Sequence, residues 1–287
     1  MTDYLLGLYE KSMPETLSLE EKLSAAKEAS FDYMELSIDE TDKKLSRLKW
    51  SDSEVEELRR LGYIIGLPIK SICLSGHRKY PLGHEDEEVQ KRSLEIMQDA
   101  ISLASKLGVR IIQIAGYDVY YDPSTEETRE NFEKNLAISV EMAAREGVVL
   151  GFETMETEFI NTVEKAVYWV NKINSPYLQV YPDIGNITNA AQTYGTCVTN
   201  DLESGKGHLA ALHLKETVPG VFREVPYGSG HVDFPEAIKT ALALGVRMFV
   251  GEFWYTGEED WKATLRNNNA FLREAISRGR ALLGAKR

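Results

Sequence analysis

Short runs of apolar, often branched residues alternate with longer amphipathic segments from one end of the chain to the other. Each short run has the length and composition of a buried strand, and the turn-forming residues around it mark its ends. The pattern predicts eight strands: "YLLGLY" (4–9), "YMELS" (33–37), "KSICLS" (70–75), "VRIIQIAG" (109–116), "VVLGFE" (148–153), "LQVYPD" (178–183), "LAALHLK" (209–215) and "RMFVGE" (247–252).

The segments between these strands are predicted helices. Apolar residues recur in them at three- and four-residue spacing, as at Leu94, Met97 and Ile101, which is the period of a helix with one buried face. The stretch "PSTEE" predicts a capping box at the start of one helix, made by Ser124 and Glu127. A glycine directly before a strand, in "KLGVR" and "REGVV", is typical of a helix C-terminus.

Near-continuous apolar strands separated by helices predict a parallel sheet covered by helices. Eight such units in 287 residues favour a closed (β/α)8 TIM barrel of the α/β class over an open doubly wound sheet. An open sheet would usually carry a glycine-rich loop after its first strand, and the chain contains neither G-x-G-x-x-G nor G-x-x-x-x-G-K-[ST]. No linker-like stretch interrupts the pattern, so we expect one barrel domain over residues 1–287.

Composition narrows the classes of function. The hydrophobic fraction of 43% fills one large core, and the net charge of −12 argues against general binding to nucleic acid or an anionic membrane, because both need basic surface. No segment reaches the roughly 20 apolar residues that cross a bilayer, and "MTDYLLGLYEK" lacks the basic region of a signal peptide. The two cysteines, Cys73 and Cys197, are too few for a disulfide framework and indicate a reducing, cytoplasmic setting.

Polar residues stand at the ends of the last four predicted strands. In a (β/α)8 barrel the chemistry lies at the C-terminal ends of the strands, and these positions hold Glu153, Asp183, His213 and Glu252. Three carboxylates gathered in an apolar cup repel one another unless a cation neutralises them. An oxygen and nitrogen donor set without a thiolate suits one divalent ion, Mn²⁺, Mg²⁺, Co²⁺ or Zn²⁺. We therefore predict a metal site formed by these four residues.

Several long motifs are shared with a known family: "LGLYEK", "SIDETDKKLSRLKW", "CLSGHRKYPLG", "IQIAGYDVYY", "YPDIGN", "HLKETVPGVF" and "VPYGSGHVDF". Through these motifs, which extend over nearly the whole chain, the sequence resembles the L-ribulose-5-phosphate/L-xylulose-5-phosphate 3-epimerases of bacterial L-ascorbate and pentulose catabolism. That family belongs to the xylose-isomerase-like barrel superfamily.

The resemblance implies a metal-dependent 3-epimerase that acts on a phosphorylated ketose. The family's metal ligands fall on the four positions named above, and one of Glu153 and Glu252 removes the C3 proton while the other returns a proton from the opposite face. By the same resemblance, a metal held by these residues would stabilise the negative charge of the enediolate. Glu156 is a candidate substrate contact. Asn186 stands where free-ketose epimerases have a histidine, and Arg223 matches their substrate-binding arginine only with a longer spacing.

The loop after the third strand is the first candidate for the substrate's phosphate. In "LSGHRKY" it offers the hydroxyl of Ser75, backbone N–H groups and the side chains of His77 and Arg78, a combination that suits a phosphate. The alternative is a solvated basic turn. The glycine-rich "YGSGH" (227–231) after the seventh strand is a second candidate, because barrels often bind phosphate there.

Other functions remain as alternatives. An aldose–ketose isomerase of the hexulose-6-phosphate isomerase type would use the same metal and a similar enediolate, but would move the proton between C1 and C2. A non-catalytic sugar-phosphate binding protein would not need two glutamates at the metal. A metal-dependent nuclease needs more than the five histidines present, and a basic face. Barrels of this family commonly associate, so we expect a homo-oligomer, a dimer or a tetramer.

Overall fold

The structure, a computed structural model, describes residues 3–285. Strands and helices alternate along the described chain. The strands are β1 Leu5–Tyr9, β2 Tyr33–Ile38, β3 Ile69–Leu74, β4 Ile111–Ala115, β5 Val149–Glu153, β6 Leu178–Val180, β7 Leu212–Leu214 and β8 Met248–Gly251. The helices are α1 Leu19–Glu28, α2 Asp42–Leu45, α3 Asp52–Ile65, α4 Glu87–Leu107, α5 Glu126–Glu146, α6 Val163–Ile173, α7 Ile184–Tyr194, α8 Val198–Ser204, α9 Phe234–Ala243 and α10 Trp261–Gly284.

The eight strands form one parallel sheet that curls into a barrel. Its strand order is β6-β5-β4-β3-β2-β1-β8-β7, and β1 pairs with both β2 and β8. The prediction of a (β/α)8 TIM barrel with strands at these eight places is confirmed. Each of β6 and β7 has only three residues, fewer than predicted. The two are joined by isolated bridges, Val180 to Leu209 and Asp183 to His213; we call this junction the seam.

Alternation along the strands separates two environments. In β2, Met34 and Leu36 belong to the large apolar core, which also includes helix residues, whereas Tyr33 belongs to a smaller cluster inside the barrel. Gly7 on β1 makes room for that tyrosine, because a Cβ at Gly7 would lie 2.4 Å from the Tyr33 ring. The barrel interior also contains buried polar side chains, among them Glu35, and these support the site described below.

The helix ends follow the predicted signals with one exception. Gly108 and Gly147 end α4 and α5 with φ of 75° and 65°, the left-handed conformation that favours glycine. The predicted capping box is shifted by one residue: Thr125 caps α5, and the hydroxyl of Ser124 donates instead to Asp118 Oδ2 at 2.6 Å. Within residues 3–285, no helix combines the length and hydropathy needed to span a bilayer.

A buried carboxylate ties the first two strands to the first two helices. Glu10, directly after β1, is fully buried, and its oxygens lie 3.0 Å from Lys22 Nζ, 2.5 Å from Lys44 Nζ and 2.5 Å from Arg47 Nη1. It also accepts the N–H of Ser37 at the end of β2, at 3.0 Å. We call this group the Glu10 cluster; it fixes the chain where β1 and β2 reach the mouth of the barrel.

Candidate active site

The four predicted ligands meet at one side of the barrel mouth. Glu153 is the last residue of β5, Asp183 follows β6, His213 lies in β7 and Glu252 follows β8. All four are buried, and one ligand atom from each lies within 4.8 Å of the others. The convergence predicted from the strand ends is therefore present. It arises because neighbouring parallel strands bring their carboxyl ends to the same edge.

Asp183 caps a helix with one carboxylate oxygen and leaves the other oxygen for the site. It is the N-cap of α7, and its Oδ1 accepts the N–H of Asn186 at 2.7 Å. Its Oδ2 is buried and has no hydrogen-bond partner among the described residues. A buried carboxylate oxygen without a donor is unfavourable unless a cation faces it, so this oxygen fits a metal ligand.

His213 is held by a residue that the sequence analysis missed. Its Nδ1 faces the cluster, 2.8 Å from Glu252 Oε2 and 3.9 Å from Glu153 Oε1. Its Nε2 contacts Glu35 Oε1 at 2.6 Å. In turn, Glu35 accepts the hydroxyl of Tyr181 at 2.9 Å. A carboxylate behind the imidazole fixes the ring's orientation and leaves the other nitrogen for a cation. The only sequence signal for Glu35 is a charged residue in the middle of an otherwise apolar strand.

A second residue that the sequence analysis missed, Lys215, brings a positive charge to the cluster. Its side chain is 5% exposed, and its Nζ lies 3.3 Å from Asp183 Oδ1 and 3.8 Å from Glu252 Oε2. Because strand residues alternate, Lys215 shares the barrel-facing side with His213. That two-residue spacing in "LHLKE" was the available signal.

Burial and neighbouring charges shift the pKa values of the four candidate ligands in different directions. Burial, followed by the charge of Glu252, raises the pKa of Glu153, and burial also raises the pKa of Asp183. Burial alone would raise the pKa of Glu252, but the charges of Lys215 and His213 lower it. Burial alone would lower the pKa of His213, yet the neighbouring carboxylates raise it well above its usual value. The cluster thus holds excess negative charge and favours a cation.

The donor set fits one divalent ion. Three carboxylates and one imidazole supply oxygen and nitrogen ligands, as Mn²⁺, Mg²⁺, Co²⁺ and Zn²⁺ accept. The unpartnered oxygen of Asp183 and the oriented imidazole of His213 both face the space between the ligands. The residues present are therefore suited to hold such an ion.

A group of partly buried polar residues from three loops holds several of the residues predicted to bind substrate. Glu156 Oε1 accepts both the hydroxyl of Tyr120 and Nη2 of Arg223, each at 2.9 Å. The guanidinium of Arg78 stacks 4.6 Å above the Tyr120 ring, and its Nε is buried without a partner among the described residues. Ser75 is half-buried at the end of β3. Two arginines around one carboxylate leave this group with net positive charge.

His77 is not brought to the other predicted residues. Its ring is buried against α4, where Nε2 lies 3.1 Å from the carbonyl oxygen of Ser93. Burial lowers the pKa of His77 to about 4, so the ring is uncharged at neutral pH. A neutral, enclosed imidazole does not supply a cation to a phosphate, and we leave His77 out of the phosphate site proposed below.

The glycine-rich loop 227–231 is occupied by an internal carboxylate. Glu216 is buried, and its oxygens accept the backbone N–H groups of Gly228 at 3.0 Å and Val232 at 3.2 Å. A Cβ at Gly230 would lie 2.3 Å from Glu216 Oε1. Since Glu216 already accepts one N–H group within this loop and one directly after it, the loop after β3 remains the better phosphate candidate.

Comparison with known proteins agrees with this geometry. The family described as xylose isomerase-like TIM barrel matches residues 23–275. The L-ribulose-5-phosphate 3-epimerase UlaE of Escherichia coli O139:H28 (strain E24377A / ETEC) is 43% identical over 256 residues, which cover 89% of each chain.

Solved structures share the fold at lower identity. An L-ribulose 3-epimerase superimposes with a TM-score of 0.79 at 18% identity, covering 98% of this chain and 97% of that one. A xylose isomerase-like TIM barrel protein from Mycobacterium smegmatis, solved in complex with magnesium, has a TM-score of 0.69 at 17% identity, covering 96% and 98%. Fold, sequence match and the geometry of the strand ends agree: the chain belongs to the xylose isomerase-like TIM barrels and, within them, to the L-ribulose-5-phosphate 3-epimerase family of isomerases.

Proposed function

We propose that this enzyme interconverts L-ribulose 5-phosphate and L-xylulose 5-phosphate by moving the proton at C3. The observation that carries the proposal is the buried cluster in which Glu153 and Glu252, from β5 and β8, meet Asp183 and His213 within 4.8 Å. The relative at 43% identity is named for the same reaction. Inverting C3 needs a proton-transfer group on each face of the ketose, and two glutamates on different strands meet that need.

In this mechanism, one of Glu153 and Glu252 takes the proton from C3, and the electron pair of the broken bond forms the enediolate through the C2 carbonyl. The other glutamate returns a proton to the opposite face of C3. Burial of both carboxyls excludes water and strengthens the electrostatic interactions on which the proton transfer depends. His213, fixed by Glu35, keeps the cluster in place.

We propose one divalent ion, Mn²⁺, Mg²⁺, Co²⁺ or Zn²⁺, held by Glu153, Asp183, His213 and Glu252. When bound, such an ion polarises the ketose carbonyl and stabilises negative charge on its oxygens. The fit of the donor set and the magnesium complex of the mycobacterial relative support this assignment.

For the substrate's phosphate we propose the space beside Arg78 and Arg223, with Ser75 at its edge. Both guanidiniums lie at the rim, one stacked on Tyr120 and one paired with Glu156. Arginine suits phosphate because its planar fork presents two N–H groups at once. Glu156 contributes by holding Arg223 at this position before the substrate arrives.

Proton NMR in D₂O tests the reaction. We expect the protein, with L-ribulose 5-phosphate and Mg²⁺ in Mn²⁺-free buffer, to produce L-xylulose 5-phosphate carrying deuterium at C3. Deuterium at C1, or an aldose product, would support an aldose–ketose isomerase instead. Absence of turnover with all four metals would support a sugar-phosphate binding protein.

Two sets of variants assign the residues. Glu153→Gln and Glu252→Gln should each lower kcat by roughly 10²-fold or more, whereas Glu15→Gln, at an exposed ion pair with Lys43, should leave it unchanged. Normal activity in the double glutamine variant would contradict the catalytic assignment. Arg78→Met and Arg223→Met should raise KM for the phosphorylated ketose about tenfold or more and leave KM for free L-ribulose unchanged.

A further inference from the structure

A lysine beside a metal site is an unusual arrangement, because a divalent cation repels an ammonium. The ammonium of Lys215 nevertheless lies close to two of the four proposed ligands. Its Nζ is 3.3 Å from Asp183 Oδ1 and 3.8 Å from Glu252 Oε2. Within residues 3–285, no other lysine or arginine forms an ion pair with the carboxyls of the cluster. The side chain is also enclosed, with 5% of its surface exposed.

Position along the strand places this ammonium nearer the mouth than the imidazole. Lys215 comes two residues after His213 in the direction of the C-terminal end of β7, on the same barrel-facing side. Its Nζ lies 6.0 Å from the centre of the Trp254 ring, on the loop after β8. Lys215 therefore follows β7 directly, on the C-terminal side of the imidazole, which is the end of the barrel where the candidate ligands lie.

The ammonium has donor capacity beyond its two carboxylate neighbours. A lysine ammonium carries three N–H donors, and the carboxylates of Asp183 and Glu252 account for at most two. The amide of Asn186 on α7 is committed elsewhere, because its Nδ2 donates to the carbonyl oxygen of Thr154 at 2.7 Å. Lys215 is thus the positively charged donor that remains beside the reacting groups.

The movement of charge in the reaction gives this donor a role. When a glutamate takes the C3 proton, that carboxyl becomes neutral and the negative charge appears on the ketose oxygen. Lys215 Nζ lies 3.8 Å from Glu252 Oε2. An ammonium that lies beside a proton-accepting glutamate and also donates to the ketose oxygen stabilises the negative charge before and after the transfer without reorganising, which is the condition for strong electrostatic catalysis. A cation that served only to neutralise Asp183 would not need to lie next to Glu252 as well.

We propose that Lys215 is a further catalytic residue of the epimerase, donating a hydrogen bond to the ketose oxygen that becomes negative when the C3 proton leaves. The inference rests on the proposed 3-epimerase function. The C3–H bond breaks, its proton goes to a glutamate carboxylate, and its electron pair moves toward C2 and on to the oxygen. Lys215 keeps its own proton throughout.

The test uses Lys215→Met, which keeps the length and apolar stem of the side chain, and Lys215→Arg, which keeps the charge. Lys262→Met, at an exposed ion pair on α10, is the control substitution. For each protein we would measure bound metal by mass spectrometry, Mn²⁺ affinity by calorimetry, the melting temperature, and kcat, KM and C3 deuterium exchange with L-ribulose 5-phosphate.

We expect Lys215→Met to retain metal and fold, and to lose about 10²- to 10³-fold in both kcat and C3 exchange with little change in KM. Lys215→Arg should recover at least about tenfold of that loss. Wild-type rates in the methionine variant, or a loss of rate explained by lost metal or lost fold in both variants, would overturn the role of Lys215. A wild-type protein without C3 exchange would overturn the epimerase function itself and, with it, this inference.

Discussion

Replacing Glu10 with glutamine removes the one negative charge shared by three cations. The side chains of Lys22, Lys44 and Arg47 are 3%, 4% and 11% exposed, and Glu10 itself is fully enclosed. Burial by itself would raise the pKa of Glu10, but the hydrogen bonds and charge of Arg47, with the two lysines, lower it well below its usual range. The carboxylate is therefore strongly stabilised in the folded state.

The expected loss of stability depends on the positive charges that stay buried after the substitution. Removing one partner of a buried ion pair destabilises a protein by about 3–5 kcal/mol, because the remaining charge stays enclosed without a counterion. In Glu10→Gln three such charges remain, and the new amide presents N–H donors to them. We expect the free energy of unfolding to fall by about 3–5 kcal/mol. The substitution acts at the C-terminal ends of β1 and β2.

Guanidinium unfolding at pH 7, followed by far-UV circular dichroism, measures the loss. Glu15→Gln is the matched control, since Glu15 pairs with Lys43 at 3.1 Å but both side chains are about two-thirds exposed; it should change stability by less than about 1 kcal/mol. Because the pKa of Glu10 is lower in the folded state, its contribution is present above pH 4.5 and is lost as pH falls. Equal unfolding midpoints for Glu10→Gln and wild type at pH 7 would refute this reasoning.

Three further outcomes are expected. Chelation of divalent metal should lower the melting temperature and raise amide hydrogen exchange first in β6 and β7. The reason is that a ligand at 100 times its Kd stabilises the folded state by about 2.7 kcal/mol. Equal exchange with and without chelator would contradict the proposed metal. Glu35→Met should weaken Mn²⁺ binding about 10- to 100-fold in calorimetry, because His213 loses the acceptor behind its ring; unchanged affinity would show that the ring is held without it. Burial lowers the pKa of His77 from 6.5 to about 4, so between these pH values the unfolded chain binds a proton that the folded chain does not. The contribution of His77 to the free energy of unfolding is therefore fully present above pH 6.5 and falls by at most about 3 kcal/mol as the pH drops toward 4. Urea unfolding from pH 7.5 to 4.5 should therefore be less pH-dependent in His77→Gln, and parallel curves would argue against this assignment.

The strands and the meeting of the four candidate ligands were predictable because each depends on a short stretch of sequence. An apolar run predicts its own strand, and the barrel topology then places every strand end at one face. Glu153 and Glu252 could therefore be placed together without knowledge of any side-chain contact. Three expectations stay predictions: one domain over residues 1–287, a homo-oligomer and a cytoplasmic location.

The residues that were missed or misplaced depend on contacts between distant elements. Glu35 looks like a charged residue within a strand until Tyr181 and His213, 146 and 178 positions away, are seen around it. His77 and Arg78 are adjacent in one basic loop, yet one ring is enclosed against α4 while the other side chain stacks at the rim. Local spacing does not indicate which side of a loop turns inward.

The seam between β6 and β7 connects correct folding with reactivity. Asp183 and His213 face each other across the one junction where isolated bridges replace a regular ladder. A chain that has not closed this junction keeps the two residues apart and lacks the cluster of four candidate ligands. If these residues hold the proposed metal, closing this junction and completing the metal site are one structural event, so metal binding reports whether β6 and β7 have paired.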